Sequence, residues 1–155
     1  MDFNVLALLY TIGCILIAII ISGISWNKEN DKWFVNLNQP KSLYVAKPWI
    51  RSVIGMSFYL LFGFILYHLI VSNDIVSIII VVVIIQLMGL SPFLLFKTKK
   101  LKLFFTTMFV FPILAPVLIF FLLQTNIILA ILAIIYPLWL VYDMTYFYRL
   151  MKLNK

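Results

Sequence analysis

The placement of basic residues constrains this chain more than any other feature. All twelve Lys and Arg fall in three clusters, separated by long apolar runs. Lys28, Lys32, Lys41, Lys47 and Arg51 surround the first gap between apolar segments. Lys97, Lys99, Lys100 and Lys102 fill the third gap, and Arg149, Lys152 and Lys155 end the chain. The second gap, around Ser72-Asn73-Asp74, and the fourth, around Gln124-Thr125-Asn126, hold none. Lys and Arg accumulate in the cytoplasmic loops of membrane proteins and set their orientation. Five crossings with the N-terminus outside place every basic residue on the inner side, whereas four or six scatter them. The sequence predicts an all-α integral membrane protein: one domain, a bundle of five transmembrane helices, N-terminus outside and C-terminus inside.

Composition agrees. The 155 residues are 65% hydrophobic and only 11% charged. A spanning helix takes roughly 20 apolar residues, so five spans and one long loop use the length and leave no room for a soluble domain. In a soluble protein a net charge of +7 would suggest nucleic acid. Here no basic face exists outside the loops, so nucleic acid is excluded as a partner and anionic membrane lipid takes its place. The expected location is the cell (plasma) membrane, multi-pass, or the mitochondrial outer membrane in a eukaryote. Cys14, the single cysteine, permits no internal disulfide and reads as a packing residue. The first apolar run, Val5 to Ile24, exceeds the about 7–15 residues of a signal-peptide core and follows an acidic Asp2, so it reads as a retained helix.

The expected spans are 4–25, 50–71, 75–96, 102–123 and 127–149. The β-branched run from Ile75 would suggest a strand in water, but in lipid the backbone must satisfy its own hydrogen bonds, which favours helix. Pro92, and the pair Pro112 and Pro116, predict kinks rather than breaks. Three of the four connections are short. The first, about Trp26 to Trp49, is long and carries three of the four tryptophans. Loops of that length are functional or disordered, and aromatic content argues against disorder. It is expected to fold over the inner face of the bundle as a lid.

On the fifth span Tyr136, Trp139, Asp143, Tyr146 and Leu150 share one helical face, and on the second Arg51, Gly55, Phe58 and Phe62 do the same. Aromatic walls with a few charged groups at the inner mouth suit a planar ring system with carboxylates, which Arg51 or Lys47 would meet. The plainer alternatives are that the stripe is helix packing and that Arg51 is a headgroup anchor. Asp143 stands about two turns inside its span. An ionisable group there faces a partner or a water-filled cavity, with Arg51 or Lys97 as candidate partners. His68 reads as an interfacial residue, Gln86 as a bundle hydrogen bond and Gln124 as a loop cap. Gly13, Gly23, Gly55 and Gly63 leave room for close helix contact. Val141, Tyr146 and Arg149 fit a proposed cholesterol pattern of little weight. No catalytic constellation, phosphate loop or zinc spacing is present in the sequence.

The stretch Trp33-Phe34-Val35-Asn36-Leu37-Asn38-Gln39-Pro40, then Pro48-Trp49 and Phe58-Tyr59-Leu60-Leu61-Phe62-Gly63, resembles the tryptophan-rich sensory protein (TspO/MBR) family, which includes the mitochondrial translocator proteins, also called peripheral benzodiazepine receptors. Tyr136-Pro137, Trp139, Tyr142 and the terminal Leu153-Asn154 are similar to that family's last helix. The resemblance implies five helices, a lid after the first, and a cavity for a tetrapyrrole such as porphyrin or haem, without an obligatory cofactor. It also implies a sterol-like molecule as a further ligand class, and a homodimer. Carried onto this sequence, the ligand-binding positions are Trp33, Phe34, Pro40, Trp49, Arg51, Phe58, Phe62, Ser91, Trp139, Tyr142 and Asp143. The chain departs from the pattern where Gln39 replaces Lys, Phe58 replaces Trp, a single Pro48 replaces Pro-Pro, and Asp143 replaces a small residue. Near the end of the third span Leu87 to Ser91 keeps only the Ser. The light-dependent porphyrin breakdown linked to the family relies on tryptophans that Phe58 and Leu90 replace, so the expected function is a receptor that senses, sequesters or transports its ligand rather than an enzyme. The alternatives are an accessory membrane protein without a small ligand, and a small proton-coupled transporter using Asp143.

Overall fold

Side-chain capping and the turn residues account for most of the helix ends. In a computed structural model, the backbone is described for residues 4–40 and 48–154 and the side chains for 4–40 and 52–154. Helix α1 (Val5–Ile24) starts at Asn4, whose side chain accepts from the Ala7 N–H. The short α2 (Lys28–Val35) is capped in the same way by Asn27. Glu29 and Asp31 in its first turn and Lys32 in its last suit the helix dipole. α3 (Pro48–Ser72) opens on a proline, whose missing N–H costs nothing at a helix start. It turns into α4 (Ile75–Thr98) through Asn73, in the left-handed region at φ 56°, which Asn tolerates better than most residues. The Asp74 carboxylate then caps α4 by accepting from the Ser77 N–H at 3.2 Å. Asn126 serves two helices: its N–H closes α6 (Phe111–Thr125) on the Leu122 carbonyl, and its side chain caps α7 (Ile127–Leu153). The loop cap expected at Gln124 is therefore supplied two residues later.

Among the described residues five stretches are long and apolar enough to cross a membrane: Val5–Ile24, Ser52–Ser72, Ile75–Thr98, Leu101–Thr125 and Ile127–Leu153. They match the expected spans to within a few residues. The fourth differs in kind. It is interrupted, with α5 (Leu101–Met108) and α6 separated by Phe109 and Val110. Pro112 cannot donate to the Met108 carbonyl and its ring crowds that group, so the first helix ends at Met108 and the Phe109 and Val110 N–H groups fall back on residues three positions earlier. Pro92 and Pro137 are accommodated inside continuous helices. A kink was expected at Pro112, and the structure has a break.

α1 runs beside α4, α6 beside α7, and α3 bridges α1, α4 and α7. The main core fills the bundle with residues such as Phe62, Ile65, Leu66, Ile84, Leu118, Leu122 and Tyr136. A second core of Leu95, Leu101, Phe104, Met108, Tyr146, Phe147 and Leu150 lies toward one end, and Trp33, Phe34 and Leu37 pack on it. The outer faces carry exposed Leu, Ile and Val along every long helix. Such surface is unstable in water and natural in lipid. Among the expected close-packing glycines, Gly13, Gly23 and Gly55 have open space around them and Gly63 meets only side-chain atoms, of Ile15 and Thr11. The close approach is at Gly89 instead, where an added Cβ would lie 2.3 Å from the Ala18 carbonyl oxygen.

Contacts between distant segments sort the chain ends. Glu29 pairs with Lys99 at 3.8 Å. The Asn38 N–H donates to Asn154 Oδ1 at 2.9 Å, while Asn154 Nδ2 donates to the Asn38 carbonyl at 3.0 Å. The first loop, the third connection and the C-terminus thus share one end of the bundle. Asn4 lies at the other, its N–H donating to the Tyr67 hydroxyl at 3.1 Å. Among the described residues, Lys28 and Lys32, the lysines of the third gap, and Arg149 and Lys152, far apart in sequence, thus lie toward a single end.

Candidate ligand-binding site

Between α2 and the bundle lies a cavity of about 570 Å³. α7 contributes Tyr136, Trp139, Leu140, Asp143 and Phe147, which recur every three or four residues because one face of a helix returns at that period. α3 supplies Ser52, Gly55, Met56, Phe58 and Tyr59. α4 supplies Met88, Ser91, Pro92, Leu95 and Phe96, again one face. The broken span closes the wall with Phe104 and Met108 on one side of its interruption and Phe111 on the other. Ser22 and Trp26 complete it from the end of α1, and Asp31, Phe34, Val35 and Gln39 cover it from the first loop.

Aromatic contacts and a few hydrogen bonds hold that cover. Trp26, Trp33 and Phe34 all meet Phe96, with centroids at 5.5, 6.4 and 6.2 Å, and Phe34 also meets Phe147 at 6.4 Å. Edge-to-face pairs of this kind add about 0.5–1.5 kcal/mol each beyond the area they bury. The Tyr146 hydroxyl donates to Gln39 Oε1 at 2.6 Å, and Gln39 Nε2 donates to the Phe34 carbonyl at 3.0 Å. With the Asn38–Asn154 pair, these bonds clasp the loop to α7. The described part of the loop therefore lies over the end of the bundle, as expected of a lid. The Glu29–Lys99 pair is exposed and adds little.

The aromatic walls have a defined order. Phe58 stacks against Tyr136 at 5.1 Å and Trp139 at 6.2 Å. Phe62 lies one turn deeper, fully buried and edge-on to Tyr136 at 4.9 Å. Tyr142 sits against Trp139 at 5.1 Å. Ser91 donates to its own helix at the Leu87 carbonyl, 2.8 Å away. Pro92, one residue on, leaves the Met88 carbonyl without its helical donor.

Of the residues singled out from sequence, Phe34, Phe58, Ser91, Trp139 and Asp143 line this cavity. Trp33, Pro40, Phe62 and Tyr142 stand behind the wall rather than in it: Trp33 supports Phe34 and Phe96, Pro40 is buried next to Gln39, Phe62 belongs to the main core, and Tyr142 backs Trp139. Lys47, and the side chains of Trp49 and Arg51, lie outside the described residues. Lys97, the other candidate partner of Asp143, is exposed and holds its ammonium over the Phe93 ring at 5.2 Å. His68 packs among Phe64 and Tyr67 at the far end and lines neither this cavity nor its mouth. Gln86 makes the expected bundle hydrogen bond, donating to the Cys14 carbonyl at 2.9 Å. The proposed cholesterol pattern is split, since Val141 is 70% exposed while Tyr146 is fully buried.

Sequence reasoning passed over Asp31, Tyr59, Phe96, Met108 and Phe147. For α4 a signal existed: Met88, Ser91, Leu95 and their neighbours follow helical periodicity from the retained Ser91. Asp31 carried none, because its side chain reaches the cavity only after the first loop folds back. Comparison of the chain with models of protein families and with curated proteins returned no match.

Proposed function

We propose that this chain is a membrane receptor that holds a flat, largely apolar molecule of tetrapyrrole size beneath its first loop, in sensing, sequestration or transport. The observation that carries this reading is the cavity itself. Its volume falls within the range of about 300–1,000 Å³ usual for small-molecule sites, its walls are mainly aromatic, and a segment clasped by side chains covers it. Offset and edge-on rings on several sides suit a planar aromatic guest better than a flexible chain. The likeness to the tryptophan-rich sensory protein family in the first loop and last helix supports the same ligand class. The gathering of basic residues at the covered end supports placing that end in the cytoplasm of a plasma membrane. A space left unfilled by the chain's own side chains speaks against a purely accessory bundle.

The test is a titration with the dimethyl ester of protoporphyrin, a neutral ring, in detergent. Trp26 and Trp139 line the cavity, so binding is expected to quench tryptophan fluorescence saturably. Trp139→Phe is expected to weaken binding with helicity retained. Absence of saturable quenching in the parent chain refutes the reading. Asp143 in the wall favours proton-coupled transport as a second reading, which a pH-driven liposome flux lost in Asp143→Asn would select.

A further inference from the structure

A groove of about 650 Å³ lies between α1, α3 and α4, in the half of the bundle away from the lid, and shares no lining residue with the cavity beneath the first loop. Its origin is the way α1 and α4 meet. They touch backbone to backbone where Gly89 faces Ala18, and one turn nearer the N-terminus Gln86 Nε2 donates to the Cys14 carbonyl at 2.9 Å. Beyond that bond the helices leave space, and Gly13 has nothing within 4 Å of an added Cβ. Leu9, Tyr10 and Ile17 on the α1 side are exposed, so the groove opens to the surrounding lipid. Ile78, Val82 and Gln86 recur every fourth residue and present one face of α4, while Leu66 and Ile70 line the groove from α3. From Leu9 to Ile17 it runs about 12 Å along α1 by helix rise, close to the roughly 15 Å of hydrocarbon in one leaflet. Apart from Tyr10 its apolar side chains are aliphatic, which suits a flexible saturated chain rather than a planar ring.

One polar group interrupts this apolar surface. The Cys14 carbonyl can be met only by an N–H, which fixes the Gln86 amide with its nitrogen toward α1 and its oxygen turned away. Oε1 accepts no hydrogen bond among the described residues, and unlike the Thr11 and Ser77 hydroxyl oxygens it is not sealed inside the protein. Two other side chains in the lining can donate, the Tyr10 hydroxyl and the Cys14 thiol, and neither bonds to it; the Cys14 sulfur faces Gln86 Nε2 at 3.3 Å. A carbonyl oxygen left unpaired in hydrocarbon is costly, and a guest that brings a donor removes the cost. We propose that this groove holds a membrane-dissolved aliphatic alcohol, with its chain along Gly13 and Val82 and its hydroxyl donating to Gln86 Oε1. The aliphatic walls hold the chain by dispersion, and the single open acceptor holds one donor. A lipid acyl chain fills the same length but ends in a methyl and leaves the oxygen unpaired. A protonated amine carries a donor but has to bring its charge to the middle of the bilayer.

The test is photolabelling of the full chain in a neutral detergent with an octanol that carries a diazirine. Saturable labelling is expected on the segments from Leu9 to Ile17 and from Ile78 to Gln86. Unlabelled octanol should compete about tenfold better than its methyl ether at equal content in the micelle, the difference of one hydrogen bond in an apolar setting. Gly13→Leu places a branched side chain in the groove, its Cβ meeting nothing within 4 Å, and should abolish the labelling with helicity retained. Gln86→Leu should bring alcohol and ether to equal strength; should that variant fail to fold, the same comparison in the parent chain decides. Labelling that does not saturate, or that persists in Gly13→Leu, overturns the site, whether detergent, lipid chains or a second copy of the protein fill the groove. Equal competition by octanol and its ether in the parent chain overturns the role of Gln86 and the selection for an alcohol.

Discussion

Replacing Gly89 by Ala tests whether α1 and α4 are packed backbone to backbone. The added Cβ would stand 2.3 Å from the Ala18 carbonyl oxygen and 2.9 Å from the Ala18 Cα and carbonyl carbon. These are backbone atoms of a helix and cannot rotate aside, so the two helices must part locally by about 1 Å to restore ordinary contact. A radial gap of 0.5–1 Å forfeits about a quarter to a half of the dispersion attraction across it. The same retreat stretches the 2.9 Å bond from Gln86 Nε2 to the Cys14 carbonyl, one turn away on both helices. Interhelical hydrogen bonds in membranes are worth about 0.6 kcal/mol on average. Overpacking costs about 1–3 kcal/mol, and the better helix propensity of Ala returns about 0.5–1 kcal/mol. The net expectation is a loss of about 1–3 kcal/mol. Unfolding by SDS titration from mixed micelles, followed by circular dichroism, reads this directly. Gly13→Ala is the control, because nothing lies within 4 Å of its added methyl; it should be neutral or slightly stabilising. Gly63→Ala should fall between them, since its obstacle at 2.5 Å is the movable Cδ1 of Ile15. Equal stability of the Gly89 and Gly13 variants would refute the packing argument.

Three further expectations follow from particular contacts. Tyr146→Phe removes the 2.6 Å bond to Gln39 and should speed hydrogen exchange over 28–39 by roughly tenfold, at about 1–3 kcal/mol for an orphaned acceptor, with little effect on bundle unfolding; unchanged exchange would show that the clasp does not hold the loop. In a Cys14→Ser background, Lys100→Cys and Asn154→Cys should react with an impermeant maleimide from one side of the membrane and Asn126→Cys from the other. Labelling of Lys100→Cys and Asn126→Cys from the same side would disprove the five-crossing topology. Pro112→Ala returns an N–H donor to the Met108 carbonyl and should join α5 to α6, turning Phe104 and Met108 relative to the cavity; ligand affinity should fall about tenfold or more while unfolding changes little, and unchanged affinity would show that the break does not shape the wall.

The number of spanning helices and the grouping of their basic ends could be read from the chain, because both depend on long apolar runs and on where charge interrupts them. The cavity-lining face of α7 could be read for a similar reason: Tyr136, Trp139 and Asp143 recur at the helical period, and an acid among aromatics stands out. What was hidden is tertiary. Gly89 looks no different in sequence from Gly13, yet only Gly89 faces another backbone. Pro112 and Pro92 each remove one hydrogen bond, but α4 continues through Pro92 while the fourth span breaks before Pro112. The lid's own helix was missed because Lys28–Val35 is short and mixed in polarity, and its main local signal is the Asn27 cap. Phe62 and Tyr142 share helical faces with wall residues, and depth in the bundle separates them from the cavity, which periodicity does not encode.

α7 carries three parts of the site on one rigid element. Trp139 and Asp143 form the wall, Tyr146 reaches the lid at Gln39, and Asn154 pairs with the lid at Asn38. Between Trp139 and Asn154 the helix is continuous almost to its last residue, so displacement of the wall moves the clasp as well. The aromatic contacts of the lid centre on Phe96 and Phe147, both of which also line the cavity. On the proposed reading, a guest in contact with Trp139 or with either Phe would bear on residues that also hold the lid, so substitutions at these positions would be felt at both.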